Sequence, residues 1–92
     1  MRAIGFRTSF DRAYQKLTPS DQEKVDDTID KFTLALERNE TSKGLGLKRL
    51  MEDRWEIRVN IHLRICFRMT NDLVEFALVG DHEMIKNYLK NL

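Results

Sequence analysis

The sequence contains a single cysteine, Cys66, and a single proline, Pro19. A lone cysteine excludes an intramolecular disulfide, so export is not indicated and a reducing cytoplasm is the expected compartment. Long hydrophobic runs are also missing. No stretch approaches the roughly 18 apolar residues of a membrane span. Residues 1–7 carry charge, but no apolar region follows them that is long enough for a signal peptide. There is no Cys/His cluster, and Asp81-His82 alone is too little for a metal site, so no metal and no cofactor is expected. Repeats and low-complexity segments are absent. Excess charge of one sign is lacking as well: 16 Lys/Arg stand against 15 Asp/Glu, a net charge of +1, which does not announce a nucleic-acid binder. With 92 residues, 41% of them hydrophobic, residues 1–92 form one domain with one core and no room for a second.

What is present is an alternation. From Trp55 to Arg58, and again from Ile61 to Arg68, apolar and polar residues take turns almost without a break. Successive side chains of a strand point to opposite faces, so a period of two reads as β-structure. Trp55, Ile57 and Val59, then Ile61, Leu63, Ile65 and Phe67, fall on one face. Glu56, Arg58, His62, Arg64, Cys66 and Arg68 fall on the other. Two such strands bury an apolar face and expose a row of arginines, which suits phosphate. Charge distribution agrees. Residues 1–40 hold seven Lys/Arg and eight Asp/Glu, whereas residues 43–68 hold seven Lys/Arg (Lys43 among them) against Glu52, Asp53 and Glu56.

Along the chain, Ala3, Ile4 and Phe6 suit a short edge strand. Thr8 and Ser9 offer capping hydroxyls to a helix whose stripe is Phe10, Ala13, Tyr14 and Leu17. Pro19 suits the first position of a second helix over 19–38, with Val25, Ile29, Phe32 and Leu36 on its apolar face and Asp21, Glu23, Asp26 and Asp27 early, where the helix dipole favours anions. Residues 39–46 read as a loop. Strands are expected over 47–50, 55–60, about 62–69 and 73–79, with turns at 51–54 and 70–72, and Asp81 is placed to cap a last short helix. The expected fold is α+β: an antiparallel-rich twisted sheet, an N-terminal helical hairpin on one face and a short C-terminal helix.

The second face, with Asp81, His82, Lys86 and Tyr88 beyond it, contains what metal-free RNA cleavage requires. A base takes the 2′-hydroxyl proton, an acid protonates the leaving oxygen, and cations hold the charge growing on phosphorus. Arginine suits the last role because its planar fork meets two phosphate oxygens. Histidine is the side chain that changes charge in the physiological range, so His82 suits either proton role.

In these residues the chain resembles the RelE/ParE toxin superfamily, and within it the RelE-like mRNA interferases. The resemblance covers the helical hairpin, then Leu47-Lys48-Arg49-Leu50, Trp55-Glu56-Ile57-Arg58-Val59, Leu63-Arg64-Ile65-Cys66-Phe67, and Val79-Gly80-Asp81-His82 with Tyr88 six residues after His82. It implies a type II toxin that cleaves mRNA in the ribosomal A site and is neutralised by a cognate antitoxin. Arg64 and Arg58 would hold the scissile phosphate, His82 with Glu56 would move protons, and Tyr88 would orient the nucleotide or assist proton transfer. Lys48, Arg49, Arg68 and Lys86 would contact the RNA backbone. Glu56 stands where RelE itself has a lysine, a pairing with histidine that related toxins use.

Plainer roles stand beside these. Arg58 and Arg64 suit a solvated face or cross-strand partners for Glu56 and Glu75. His82 suits a helix cap and Tyr88 a core position with its hydroxyl at the rim. Lys48 and Arg49 suit solvated edge charges, Cys66 an inert thiol, and Trp55 the core. Two other functions share the resemblance: a ParE-like DNA gyrase inhibitor without enzymatic activity, and a degenerate, non-toxic interaction module.

Overall fold

A computed structural model describes residues 2–40, 44 and 46–92; within the expected 39–46 loop, residues 41–43 and 45, Lys43 among them, lie outside the described residues. The elements run β1 (Ala3–Phe6), α1 (Thr8–Gln15), α2 (Pro19–Glu37), β2 (Lys48–Met51), β3 (Arg54–Arg58), β4 (Arg64–Met69), β5 (Leu73–Gly80) and α3 (His82–Lys90). The strands form one sheet in the order β1-β5-β4-β3-β2. Every pairing is antiparallel except β1 with β5, which is parallel. This is the α+β fold expected from the pattern.

Pro19 opens α2, where its missing N–H costs nothing, and the Thr18 hydroxyl accepts from the Asp21 N–H at 3.2 Å. The start of α1 differs from expectation. Arg7 takes the cap position without a side-chain bond, and Thr8 and Ser9 lie inside the helix. The Ser9 hydroxyl donates instead to the carbonyl of Ala77. The reason lies in β5. Its register with β4 slips between Cys66 and Phe67, so that Leu78 faces Cys66 while Phe76 faces Phe67, and Ala77 is the extra residue. A bulge frees a carbonyl from the ladder, and a buried carbonyl needs a donor.

The same bulge reconciles the apolar run of β5 with a two-faced sheet. Phe76 and Val79 both reach the hairpin side, although three residues apart. There they join Ile57, Ile65 and Phe67 from β3 and β4, and Phe10, Val25 and Phe32 from the helices. Aromatic rings knit this layer: Phe32 to Phe67 at 4.8 Å and Phe67 to Phe76 at 5.8 Å between centroids. Trp55 packs against it, in phase with Ile57.

The turn between β3 and β4 is longer than the alternation suggests. The Asn60 carboxamide oxygen accepts from the N–H groups of His62 and Leu63 at 2.8 and 2.9 Å, which ends β3 at Arg58. His62 is therefore an exposed turn residue, not part of the sheet's second face, and Ile61 is 78% exposed rather than in the core row. Local side-chain bonding by Asn60 overrides the period of two there.

α3 folds back over the second face. Gly80 pairs with Arg64, so the two share that face, and a Cβ at Gly80 would stand 2.8 Å from the Met84 sulfur. The absent side chain is what lets the first turn of α3 lie on the strand. Ile85 is buried outside the main core cluster, and Cys66 is fully buried on the same side. No helix of the described residues is long and apolar enough to cross a membrane.

Candidate functional site

Directly paired residues share a face, so the register of the sheet sorts the charged residues into rows. One row runs Arg58, Arg64, Gly80 across β3, β4 and β5. The next runs Lys48, Glu56, Cys66, Leu78 across β2 to β5. A third, farther along, holds Arg54, Arg68 and Glu75. The first row ends at Gly80, the last residue of β5 and two before His82 in the chain.

The row of cations is not open, contrary to the reading from alternation. The Arg64 Nε sits 3.0 Å from Glu56 Oε2, with the two side chains 18% and 10% exposed. Arg68 donates through Nε to Asp53 Oδ2 at 2.7 Å, and Asp53 also lies 3.8 Å from Arg54. The hydrogen bond from Arg68 holds the Asp53 carboxyl below the usual carboxylate range. Glu75 is met by Arg7 at 3.6 Å. Arg64 thus took a cross-strand carboxylate, and Arg54 and Arg68 the one in the β2–β3 turn, because a half-buried guanidinium left unpaired carries a desolvation cost. Arg58 differs: it is exposed at the end of β3, and no ion pair reaches it among the described residues.

Around Arg58 the backbone comes close. Gly46 has a φ of +64°, and a Cβ there would stand 2.9 Å from the Arg58 Cβ. Both the left-handed backbone and the tight approach require glycine.

Beyond Gly80, the Asp81 carboxylate accepts from the Met84 N–H at 2.8 Å and caps α3. The capping role offered to His82 is therefore taken, and His82 is exposed on the first turn. Tyr88 is half-buried. Six residues at about 100° each set it about 120° round the axis from His82, so the two project from different flanks of α3. Lys86, four residues after His82, shares the His82 flank and is exposed.

The expected RNA contacts divide. Lys48 faces Glu56 on the Arg64 side, whereas Arg49 faces Trp55 on the opposite side and donates from Nε to the Glu52 carbonyl at 2.7 Å. Arg68 stands four residues along β4 from Arg64, about 13 Å at strand rise. Arg54 was expected in a turn but opens β3. It shares the second face with Arg68, and its Nη1 is buried without a hydrogen-bond partner among the described residues. The signal was available: Arg54 continues the alternation of Glu56 and Arg58 one step back. Burial pushes the Cys66 thiol up to about 11, which makes it a poor nucleophile at neutral pH. Among the described residues no group of three or more His, Cys, Asp or Glu side chains is placed to hold a metal ion.

No family model matches the sequence, and no curated protein matches it. Solved structures do. YafQ from E. coli strain BL21(DE3) superposes with a TM-score of 0.69 at 13% identity, over 92% of this chain and 98% of that one. A chain of the RelB-RelE antitoxin-toxin complex from Methanococcus jannaschii gives 0.70 at 17%, over 91% and 96%. The YoeB dimer from Staphylococcus aureus gives 0.65 at 19%, over 88% and 97%. The chain has the fold of the RelE-like toxins over most of its length.

Proposed function

We propose that this chain is the toxin of a type II toxin–antitoxin pair, a metal-independent endoribonuclease that cuts mRNA on the ribosome in the cytoplasm. The observation that carries the proposal is the adjacency of Arg58 and Arg64 across two strands, with Glu56 against Arg64 and His82 two residues past Gly80 in the next strand, all within a RelE-like fold.

The chemistry follows from that set. The 2′-oxygen forms a bond to phosphorus and the bond from phosphorus to the 5′-oxygen breaks, leaving a cyclic phosphate and a 5′-hydroxyl. Glu56 accepts the proton of the 2′-hydroxyl, and His82 delivers one to the departing oxygen. Arg64 and Arg58 stabilise the charge that develops on the non-bridging oxygens. A guanidinium has five N–H donors, so a carboxylate met through Nε does not exhaust Arg64. Glu56 instead fixes the direction in which the fork faces. Lys48 and Lys86 flank the same region and steer the RNA backbone. Tyr88 supports the site from the far flank of α3, and Arg68, bonded to Asp53, contributes least. The partner is a cognate antitoxin with a segment that covers the Arg58–Arg64 row.

One feature favours a second reading. Carboxylates neutralise most of the arginines on this face, which suits an interaction module that does not cleave RNA.

Primer extension on cellular message after induction of the protein decides between them. Discrete cuts confined to translated regions are expected, reduced at least tenfold by Arg58→Ala, whose exposed side chain leaves the fold untouched. Intact message with a DNA-damage response would point to gyrase, and intact message with normal growth to the module. Either result removes the nuclease.

A further inference from the structure

A different surface, apart from the nuclease reading, lies along the free edge of β1. The Ala3 and Arg7 N–H groups donate to Asp72 and Phe76 of the β5 side at 2.8 and 2.9 Å. In a parallel ladder alternate residues point to the same neighbour, so the N–H and C=O groups of Ile4 and Phe6 point outward. β1 is terminal in the sheet, so nothing in the sheet meets them. Both side chains are apolar and about half exposed, Ile4 at 44% and Phe6 at 48%. The edge is short, four residues flanked by Arg2 and Arg7, which limits open-ended pairing, yet Ile4 and Phe6 themselves carry no charge and lie uncovered.

Beside this edge, between β1 and the helical hairpin, lies a groove of about 500 Å³. Phe6, Phe10 and Tyr14 form its aromatic side, and Asp11, Asp26 and Asp30 rim it. The rim contains no lysine or arginine. α2 as a whole has six carboxylates against Lys24 and Lys31. The lining itself is therefore acidic, with Arg7 and Arg12 the cations next to it in the chain, in contrast to the Arg58–Arg64 row. A second copy of the chain would bring the same carboxylates against these and is disfavoured.

The geometry points to a docking edge for an extended, cationic segment of a partner protein: it adds to the sheet as a sixth strand beside β1 and lays a lysine or arginine over the Phe6–Phe10–Tyr14 side, between Asp11 and Asp30. Three terms act together there. The outward Ile4 and Phe6 groups supply ladder hydrogen bonds. A side chain opposite Phe6 falls within about 5 Å of it on the groove side. A cation over aromatic faces beside carboxylates gains from both.

The test uses a capped octapeptide of alternating lysine and valine, titrated into the ¹⁵N-labelled full chain. Expected are shifts and slowed hydrogen exchange at the Ile4 and Phe6 amides, at least tenfold weaker binding to the Asp11→Asn/Asp30→Asn variant, and loss of binding when alternate peptide nitrogens are methylated along one edge. The inference is overturned if the glutamate–valine peptide binds as well, if the lysine peptide binds but leaves Ile4 and Phe6 unmoved, or if no binding occurs at millimolar peptide. Primer extension is indifferent to every one of these outcomes, so the two readings fail separately.

Discussion

The two faces of the central strands are built from alternate residues of the same short segments, yet they differ in kind. On the hairpin side, Ile57, Ile65, Phe67 and Phe76 are fully buried and belong to one apolar cluster. On the α3 side, buried Glu56 pairs with half-buried Arg64, and half-buried Arg54 and Arg68 share Asp53. The first face gains from every carbon removed from water. The second spends desolvation on charges and recovers it through pairing, which leaves little net stability. A face that contributes little to folding but is kept in register by the other is free to serve binding and chemistry.

Substitutions that separate the faces sharpen this contrast. Phe32→Ala opens a cavity in the aromatic layer and is expected to lower unfolding free energy by about 3–5 kcal/mol in urea denaturation. Arg64→Met leaves the Glu56 carboxylate unpaired, and, discounted for partial exposure, costs about 1–3 kcal/mol; the Arg64→Met/Glu56→Leu pair returns to within about 1 kcal/mol of the parent, with cleavage lost in both. If the double variant is as destabilised as Phe32→Ala, the second face is structural after all. Cys66 is expected to resist iodoacetamide in the folded protein at pH 8 and to react on unfolding. Its thiol holds its proton more tightly folded than unfolded, so this contribution is intact below the unfolded value near 9 and is lost as pH rises from there towards about 11. The smallest effect is Asp53→Asn: the pair with Arg68 lies partly open to solvent, and its removal is expected to leave the urea midpoint almost unmoved.

Much of the fold was legible because it rests on period and punctuation. Pro19 and Thr18 mark one helix, the Phe10–Leu17 and Val25–Leu36 stripes face one sheet, and Trp55–Ile57 with Ile65–Phe67 alternate into the core. What was missed depends on contacts remote in sequence. The bulge at Ala77 and its bond to Ser9 leave no local signature. Asn60 closes a turn that alternation runs straight through. In the site, pattern put Arg58, Arg64 and Glu56 on one face, and the register agrees. It offered Glu56 as a cross-strand partner of Arg64 beside the open phosphate site, and the pairing is what the structure has; that Arg49 would fall on the other side it did not show. Spacing by itself already separates His82 from Tyr88: six residues on a helix put them on different flanks.

Single guanidinium groups on the second face are expected to respond differently to RNA. Arginine Nε–H resonances, followed as a short RNA methylated at its 2′-hydroxyls is titrated in, report each one separately. Arg64 and Arg58 are predicted to shift together while Arg68, bonded to Asp53, stays in place. An Arg64 signal that does not move at saturation, or an Arg68 signal that moves as far, would contradict the assignment of the phosphate site to the Arg58–Arg64 row.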